Sequence, residues 1–350
     1  MNKKRIYAFD LLRVVACYLV IQQHASEFYY IGENGSVPVL DSTYWIGIMS
    51  AICRTSVPLF VMVSGYFLLP MSGTSSAFFR KRFTRILYPF LIWCVAYAVY
   101  FVFTRGNTWA QVAVDVLQIP INFGTRVGHL WYIYMLIGLY LLVPVLSPWL
   151  RSASKRELQG YLGLWALASC LPYIHLLFPE VLGECFWNPS PLLYYFTGFS
   201  GYLVLGFYLK QYGRFSVPAS VALLLLGYGI TAGVFCARIP TAPDVPALEL
   251  SWGFCTINVA MASAGLFSLF QALQTEGRGL VGRWVTRVSS LSYGMYLGHI
   301  MVLNFYYECL NDCFDSVLVA VPVISLCSFI TVYLLMRLLS LLPGSKYIVG

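Results

Sequence analysis

The first hydrophobic segment carries both an arginine and a histidine, Phe9-Asp10-Leu11-Leu12-Arg13 … Gln22-Gln23-His24. Ionisable side chains are costly in hydrocarbon, and where they occur they usually mark function. Eleven helical residues turn through roughly 1,100°, about 20° past three full turns, so Arg13 and His24 share one face about 16 Å apart along the axis. A fixed positive charge near one end and an imidazole near the other suit a reaction whose anionic donor enters from one side while its acceptor waits on the other. The competing reading is structural. Asp10 and Arg13 are three residues apart and can pair, with His24 then sitting at headgroup level.

Three further blocks carry chemistry-bearing residues. In Ile52-Cys53-Arg54-Thr55-Ser56-Val57-Pro58 … Ser64-Gly65-Tyr66, Arg54 is a second cation inside an apolar span. That span holds no acid, so the counter-charge of Arg54 must come from another element or from a ligand. Pro58 frees the carbonyl of Arg54 and permits a kink, and Ser64-Gly65 let another helix approach closely. Gly128-His129-Leu130-Trp131-Tyr132 opens a span running outside to inside, which puts His129 at about the depth of His24. An interfacial histidine is the plain alternative. In Ser289-Ser290-Leu291-Ser292-Tyr293-Gly294-Met295-Tyr296-Leu297-Gly298-His299, the residues Ser292, Tyr296 and His299 fall on one helical face. His299 lies near mid-membrane, where an unpartnered imidazole is costly, and a hydrogen-bonded structural histidine explains it as well as catalysis does. His175, beside Pro172, is the least suggestive of the four histidines. There is no Gly-x-Ser-x-Gly elbow, phosphate loop, dinucleotide fingerprint or His-Glu-x-x-His, and no cysteine spacing suggests a metal.

The elements that must position these residues are membrane helices. Of 350 residues, 59% are hydrophobic and 10% charged, with a mean hydropathy of +0.73; a soluble domain carries about 25% charged residues. The expected architecture is all-α, a single domain over 1–350. Ten spans are expected at roughly 9–27, 45–69, 83–104, 129–150, 159–178, 194–211, 216–236, 251–273, 289–308 and 316–342, each about long enough to cross the hydrocarbon core. The segment 194–211 is the shortest and bears glycine. No cleavable signal peptide is expected, because the first segment carries Asp10 and Arg13 and lacks a small-residue cleavage site. Sixteen basic residues fall in one set of connections, including Arg80-Lys81-Arg82 and Arg85, against three (Arg105, Arg126, Arg238) in the other. This positive-inside bias places both termini in the cytoplasm. Eleven of the fourteen acids lie in or beside the outer loops. The net charge of +8 is thus mostly topological and gives no reason to expect a nucleic-acid partner.

The outer loops 28–44, 105–128, 179–193 and 237–250 are the longer ones and are where an acceptor is expected to bind. Residues 108–118 within them suggest a short interfacial helix. Pro240, Pro243 and Pro246 argue against regular structure in 237–250. Trp and Tyr residues near the predicted span ends, among them Trp45, Trp109, Trp131 and Trp187, read as an aromatic belt. Cysteines within spans act as small apolar residues. Cys309 and Cys313, near an outer loop, either form a disulfide in an oxidising exterior or remain two thiols.

Together the four blocks resemble the acyltransferase 3 family of bacterial integral-membrane O-acyltransferases. The matching residues are Asp10-Leu11-Leu12-Arg13 with His24, Val57-Pro58-Leu59-Phe60 … Ser64-Gly65-Tyr66, His129-Leu130-Trp131-Tyr132, and Ser292-Tyr293-Gly294-Met295-Tyr296 … His299. They occur in family order over nearly the whole chain. The Val-Pro and His-Leu-Trp blocks look most like the branch that O-acetylates enterobacterial common antigen. The resemblance implies an acyl-CoA donor, usually acetyl-CoA, a cell-surface or lipid-linked glycan acceptor, and residence in the bacterial cytoplasmic (inner) membrane. The family's arginine and histidine map onto Arg13 and His24. Arg54, His129 and His299 sit in matching blocks, with Asp10 and Tyr296 beside them as structural or site residues.

On that reading the CoA phosphates dock on Arg80, Lys81, Arg82 and Arg85, with Arg13 further in. The pantetheine arm runs toward His24, which acts as general base or transient acyl acceptor. Arg54 or His129 stabilises the developing oxyanion. No resident metal or cofactor is expected. The alternative is a transporter or exporter of a glycan or small polar solute, in which the same charged residues line a path and no acyl group moves.

Overall fold

The computed structural model describes residues 5–178 and 193–350. Lys3, Lys4, Trp187 and all but the last residue of the expected loop 179–193 lie outside these. Every regular element among the described residues is helical: α1 (Tyr7–Tyr30), α2 (Asp41–Ser50), α3 (Ser56–Leu68), α4 (Ser75–Arg105), α5 (Trp109–Leu117), α6 (Trp131–Ser152), α7 (Lys155–Leu177), α8 (Ser200–Tyr212), α9 (Val217–Arg238), α10 (Val245–Leu248), α11 (Ile257–Ala272), α12 (Gly279–Leu310) and α13 (Val317–Leu339), with short 3-10 turns between them.

Helical segments occupy all ten expected windows, but they are not equivalent. Six are long and apolar enough to cross a membrane, or seven when the pair around α10 and α11, bent by 41°, counts as one span. The other three windows hold α1, α8 and α12. Helix α8 fails by length: thirteen residues rise about 20 Å, short of a hydrocarbon core of about 30 Å. It begins after Gly198, whose φ of +87° ends the preceding turn. Helices α1 (24 residues) and α12 (32 residues) have the length but not the apolarity.

Their position explains why. Helix α1 packs against α12, α13, α3, α2 and α11, so its polar residues Asp10, Gln22, Gln23 and Ser26 face protein and are buried. A central helix need not offer apolar side chains to lipid on every side. The outer helices show the reverse: only 22% of the α7 span and 28% of the α9 span are buried, and Leu164, Leu167, Leu225 and Leu226 stay exposed where lipid would cover them.

Local sequence sets several boundaries. Residues 51–55 form a 3-10 turn between α2 and α3, so the expected break near Pro58 lies just before that proline, which sits in the first turn of α3. The expected short helix at 108–118 forms as α5, closed by a capping box in which Thr108 and Gln111 satisfy each other's backbone N–H groups. The expectation for 237–250 needs correction. Pro246 occupies the first turn of the four-residue helix α10, where its missing N–H costs nothing, and Asp244 caps that turn. Cys309 and Cys313 are both free thiols, Cys313 Sγ lying 3.8 Å from the carbonyl of Cys309. His175 is exposed in the last turn of α7.

Candidate functional site

The site begins at the start of α1, where a carboxylate is buried. Asp10 is 1% exposed and is satisfied from three directions. Arg5 Nε lies 2.5 Å from Oδ2 and its Nη2 3.1 Å from Oδ1, while Ser289 Oγ of α12 donates to Oδ1 at 2.8 Å. Arg5 also donates to Thr286 O at 2.9 Å and Ser290 Oγ at 3.1 Å, so this pair ties α1 to α12. The pairing of Asp10 with Arg13 also occurs, but as the longer contact at 3.5 Å. A buried carboxylate needs such partners. Because Arg5 supplies the main one, Arg13 stays partly free, with 30% of its side chain exposed and its guanidinium 5.4 Å from the Phe67 ring.

Arg13 lines an open cavity of about 610 Å³ between α1, α3, α4, α6 and α12. Arg5, Arg13, Arg82 and Arg85 contribute four cations to its wall against the single acid Asp10. Such a cleft draws in anions, because low-dielectric walls focus the field. Beyond the arginines the lining turns apolar and aromatic, with Val20, Val57, Phe60, Tyr132 and Tyr296. Arg13 and Val20 are seven residues apart on α1, so this part of the cavity runs about 10 Å along the helix. Arg80 is exposed on α4 and is not part of the lining.

One turn beyond Val20 the three histidine blocks converge. The His24 ring lies 5.2 Å from that of His299 and 6.2 Å from that of His129, and these two are 5.0 Å apart, centre to centre. Each imidazole is held by one nitrogen. His24 Nδ1 is 2.9 Å from Glu27 Oε2, His129 Nε2 is 3.3 Å from Leu297 O, and His299 Nδ1 is 2.6 Å from Tyr296 O. The carbonyls of two successive residues of α12 thus fix two of the rings. Tyr97 adds an O–H donated to Leu297 O at 3.0 Å and a ring 5.1 Å from His129. His299 Nε2 is buried and has no hydrogen-bond partner among the described residues. With carboxylate Glu27 accepting from Nδ1–H, the Nε2 of His24 is left as the basic nitrogen, the arrangement a general base requires. Among the described residues no group of three His, Cys, Asp or Glu side chains is disposed to hold a metal ion.

Arg54 finds its counter-charge far away in the chain. Its Nη2 lies 3.3 Å from Glu249 Oε1, and its guanidinium sits 4.4 Å from the Trp252 ring and 5.6 Å from that of Phe254. Tyr30 donates its hydroxyl to the same Glu249 oxygen. Glu249 and Trp252 belong to the 3-10 turn after α10, so segment 237–250 reaches Tyr30 at the end of α1 and supplies the charge missing from the Arg54 span.

An acyltransferase-domain family profile matches residues 6–338, nearly the whole chain. The chain belongs to the acyltransferase 3 family. No curated protein and no solved structure matches it. In this acyltransferase-family protein, residues that the sequence blocks list separately fall into two adjacent groups. Arg13, Arg82 and Arg85 share the cavity, while His24, His129 and His299 form the cluster beyond it, with Tyr296 touching both. Arg54 belongs to the Glu249 pair, and Arg80 joins neither group.

Three charged residues of this arrangement are missing from the sequence-based candidates: Arg5, Glu27 and Glu249. Glu27 carries a readable signal, since it follows His24 by three residues and so faces the same way. Arg5 is masked by its basic neighbours, which mark topology. Glu249 has no local signal, because 195 residues separate it from Arg54.

Proposed function

We propose that this protein is a membrane O-acyltransferase that moves an acyl group, acetyl in the first instance, from cytoplasmic acyl-CoA to a hydroxyl of an extracytoplasmic or lipid-linked cell-surface glycan. In this reading it spans the bacterial inner membrane ten times with both termini cytoplasmic, and the arginine end of the cavity faces the cytoplasm. The observation that carries the proposal is the order of groups along α1: a cavity with four arginines in its wall ends one helical turn short of a histidine whose Nδ1 is held by a carboxylate.

The CoA diphosphate and 3′-phosphate lie against Arg5, Arg13, Arg82 and Arg85, and the pantetheine arm follows α1 past Val20. His24 Nε2 takes the proton of the acceptor hydroxyl as its oxygen attacks the thioester carbonyl. The tetrahedral intermediate that forms lies beside His129 and His299, whose rings adjoin His24. Collapse breaks the C–S bond, the ester keeps the acyl group, and the imidazolium returns its proton to the CoA thiolate. Glu27 holds the imidazole in the productive tautomer and offsets its charge while it is protonated.

The test is CoA release by purified protein in nanodiscs, given acetyl-CoA and a lipid-linked glycan extract. His24→Ala abolishes release while leaving acetyl-CoA binding intact, and Arg13→Ala weakens binding. Full activity in His24→Ala refutes the scheme. Donor binding without release in any glycan extract, coupled to solute movement across the bilayer, favours a transporter.

A further inference from the structure

The cavity and the histidine cluster are adjacent, with two tyrosine rings at their junction. Tyr296 lines the deep end of the cavity, whereas His24, His129 and His299 do not line it. The Tyr296 ring lies 5.8 Å from both the His129 and His299 rings, and 5.2 Å from the ring of Tyr132, which also lines the cavity. Its hydroxyl donates to the carbonyl of His129, so the ring is latched in place by the block that carries one of the histidines. The same order is seen along both helices. On α12, Ser292 and Tyr296 face the cavity and His299 comes one turn later; on α1, Val20 faces it and His24 comes one turn later, about 6 Å along the axis. A thioester carried up the cavity therefore meets Tyr296 and Tyr132 before it meets His24.

We propose that Tyr296, paired with Tyr132, is the gate between the donor cavity and the histidine cluster, and that the gap it opens sets which acyl groups reach His24. Opening requires the Tyr296 side chain to rotate and its hydroxyl to leave the His129 carbonyl. The opening admits a short acyl group and rejects a longer one, whose extra methylenes collide with the two rings. Closed, the gate keeps water and small solutes on the cavity side from His24. Tyr296 acts here as a specificity-determining residue with no part in proton transfer. The gate rests on the donor reading proposed above for its substrate, but its barrier function is a property of the fold alone.

Two readouts separate those layers. The first is acyl preference: kcat/KM for acetyl-CoA against butyryl-CoA in nanodiscs. Tyr296→Ala lowers the acetyl preference by about tenfold or more, the scale that two methylenes in a fitted site can reach. Tyr296→Phe keeps the ring and retains the preference. If Tyr296→Ala does not fold, Tyr296→Leu shortens the side chain and serves the same purpose. The second readout needs no donor. In sealed vesicles carrying His24→Cys, a charged methanethiosulfonate is added from the side of Arg82 and Arg85, and modification of residue 24 is followed by peptide mass. Adding Tyr296→Ala accelerates that modification by about tenfold or more, as expected when a closed path opens. A wild type that turns over acyl-CoA, with acyl preference and labelling both unchanged by Tyr296→Ala, overturns the gate and leaves the donor reading intact. A wild type inert toward acyl-CoA, whose labelling is nevertheless accelerated, overturns the donor reading and supports the gate.

Discussion

Glu27 offers the sharpest test of the catalytic geometry, because the sequence blocks do not include it. Its Oε2 lies 2.9 Å from His24 Nδ1, with 34% of the Glu27 side chain and 20% of the His24 side chain exposed. In Glu27→Gln the amide keeps the shape but removes the negative charge. A carboxylate and an imidazolium whose charge centres are about 4 Å apart attract by about 4 kcal/mol at an effective dielectric of about 20. Partial exposure screens roughly half of that, leaving about 2 kcal/mol. This attraction exists only while His24 is protonated, so it stabilises the transition state and not the resting enzyme. A loss of about 2 kcal/mol lowers kcat about 30-fold. Glu27 does not line the cavity, so the donor KM should stay unchanged, the signature of an interaction made only in the transition state. Steady-state CoA release in nanodiscs over a range of acetyl-CoA measures both constants. A folded Glu27→Gln protein with kcat within about twofold of wild type refutes the reasoning, since an orienting carboxylate cannot be neutral to a general base. A raised donor KM with unchanged kcat contradicts it equally, by placing Glu27 in the donor site.

Other parts of the structure make independent predictions. Arg82→Ala and Arg85→Ala each raise the donor KM about fivefold with little change in kcat, and titration of donor in low and high salt shows the effect shrinking as ionic strength rises. Glu249→Gln removes the hydrogen-bonded carboxylate from the guanidinium of Arg54, 8% exposed. With Glu249 itself 29% exposed, the expected cost is about 2 kcal/mol, read as a lower midpoint of thermal unfolding in detergent. Adding Arg54→Met recovers most of that loss if the pair itself is the cause. Gly206→Ala would place a Cβ 2.1 Å from the Met62 carbonyl oxygen, forcing α3 and α8 apart at a cost of about 1–3 kcal/mol or more; a thermal midpoint equal to wild type would show that the two helices are not packed as described.

The sequence alone determines much of this protein because a bilayer constrains a chain so strongly. Runs of apolar residues about twenty long must be helical to satisfy their backbone groups, which is why helices fill every expected window. The same constraint makes Arg13, His24, Arg54, His129 and His299 conspicuous, since a polar residue within an apolar run needs a reason to be there. Family membership was legible for the same reason: the four blocks hold the residues that break the apolar pattern, and the profile match over 6–338 agrees with them. Cap chemistry is local as well, and the Thr108 box that starts α5 can be read directly from neighbouring residues.

What sequence cannot supply is the partner that comes from elsewhere in the chain. Helical periodicity places Arg13 and His24 on one face, but it does not decide that Arg5 takes the closer place at Asp10 and leaves Arg13 to the cavity. Nor does it bring Glu249 to Arg54, or Leu297 O to His129, across separations of 195 and 168 residues. Hydropathy by itself does not select α1 and α12 as spans, because it measures exposure to lipid and these two helices pack against each other and carry the site. Only tertiary packing sets which charges are neighbours, because each charge acts through space over a few ångströms whatever its distance along the chain. The cavity, the histidine cluster and the tyrosine between them all arise from that packing.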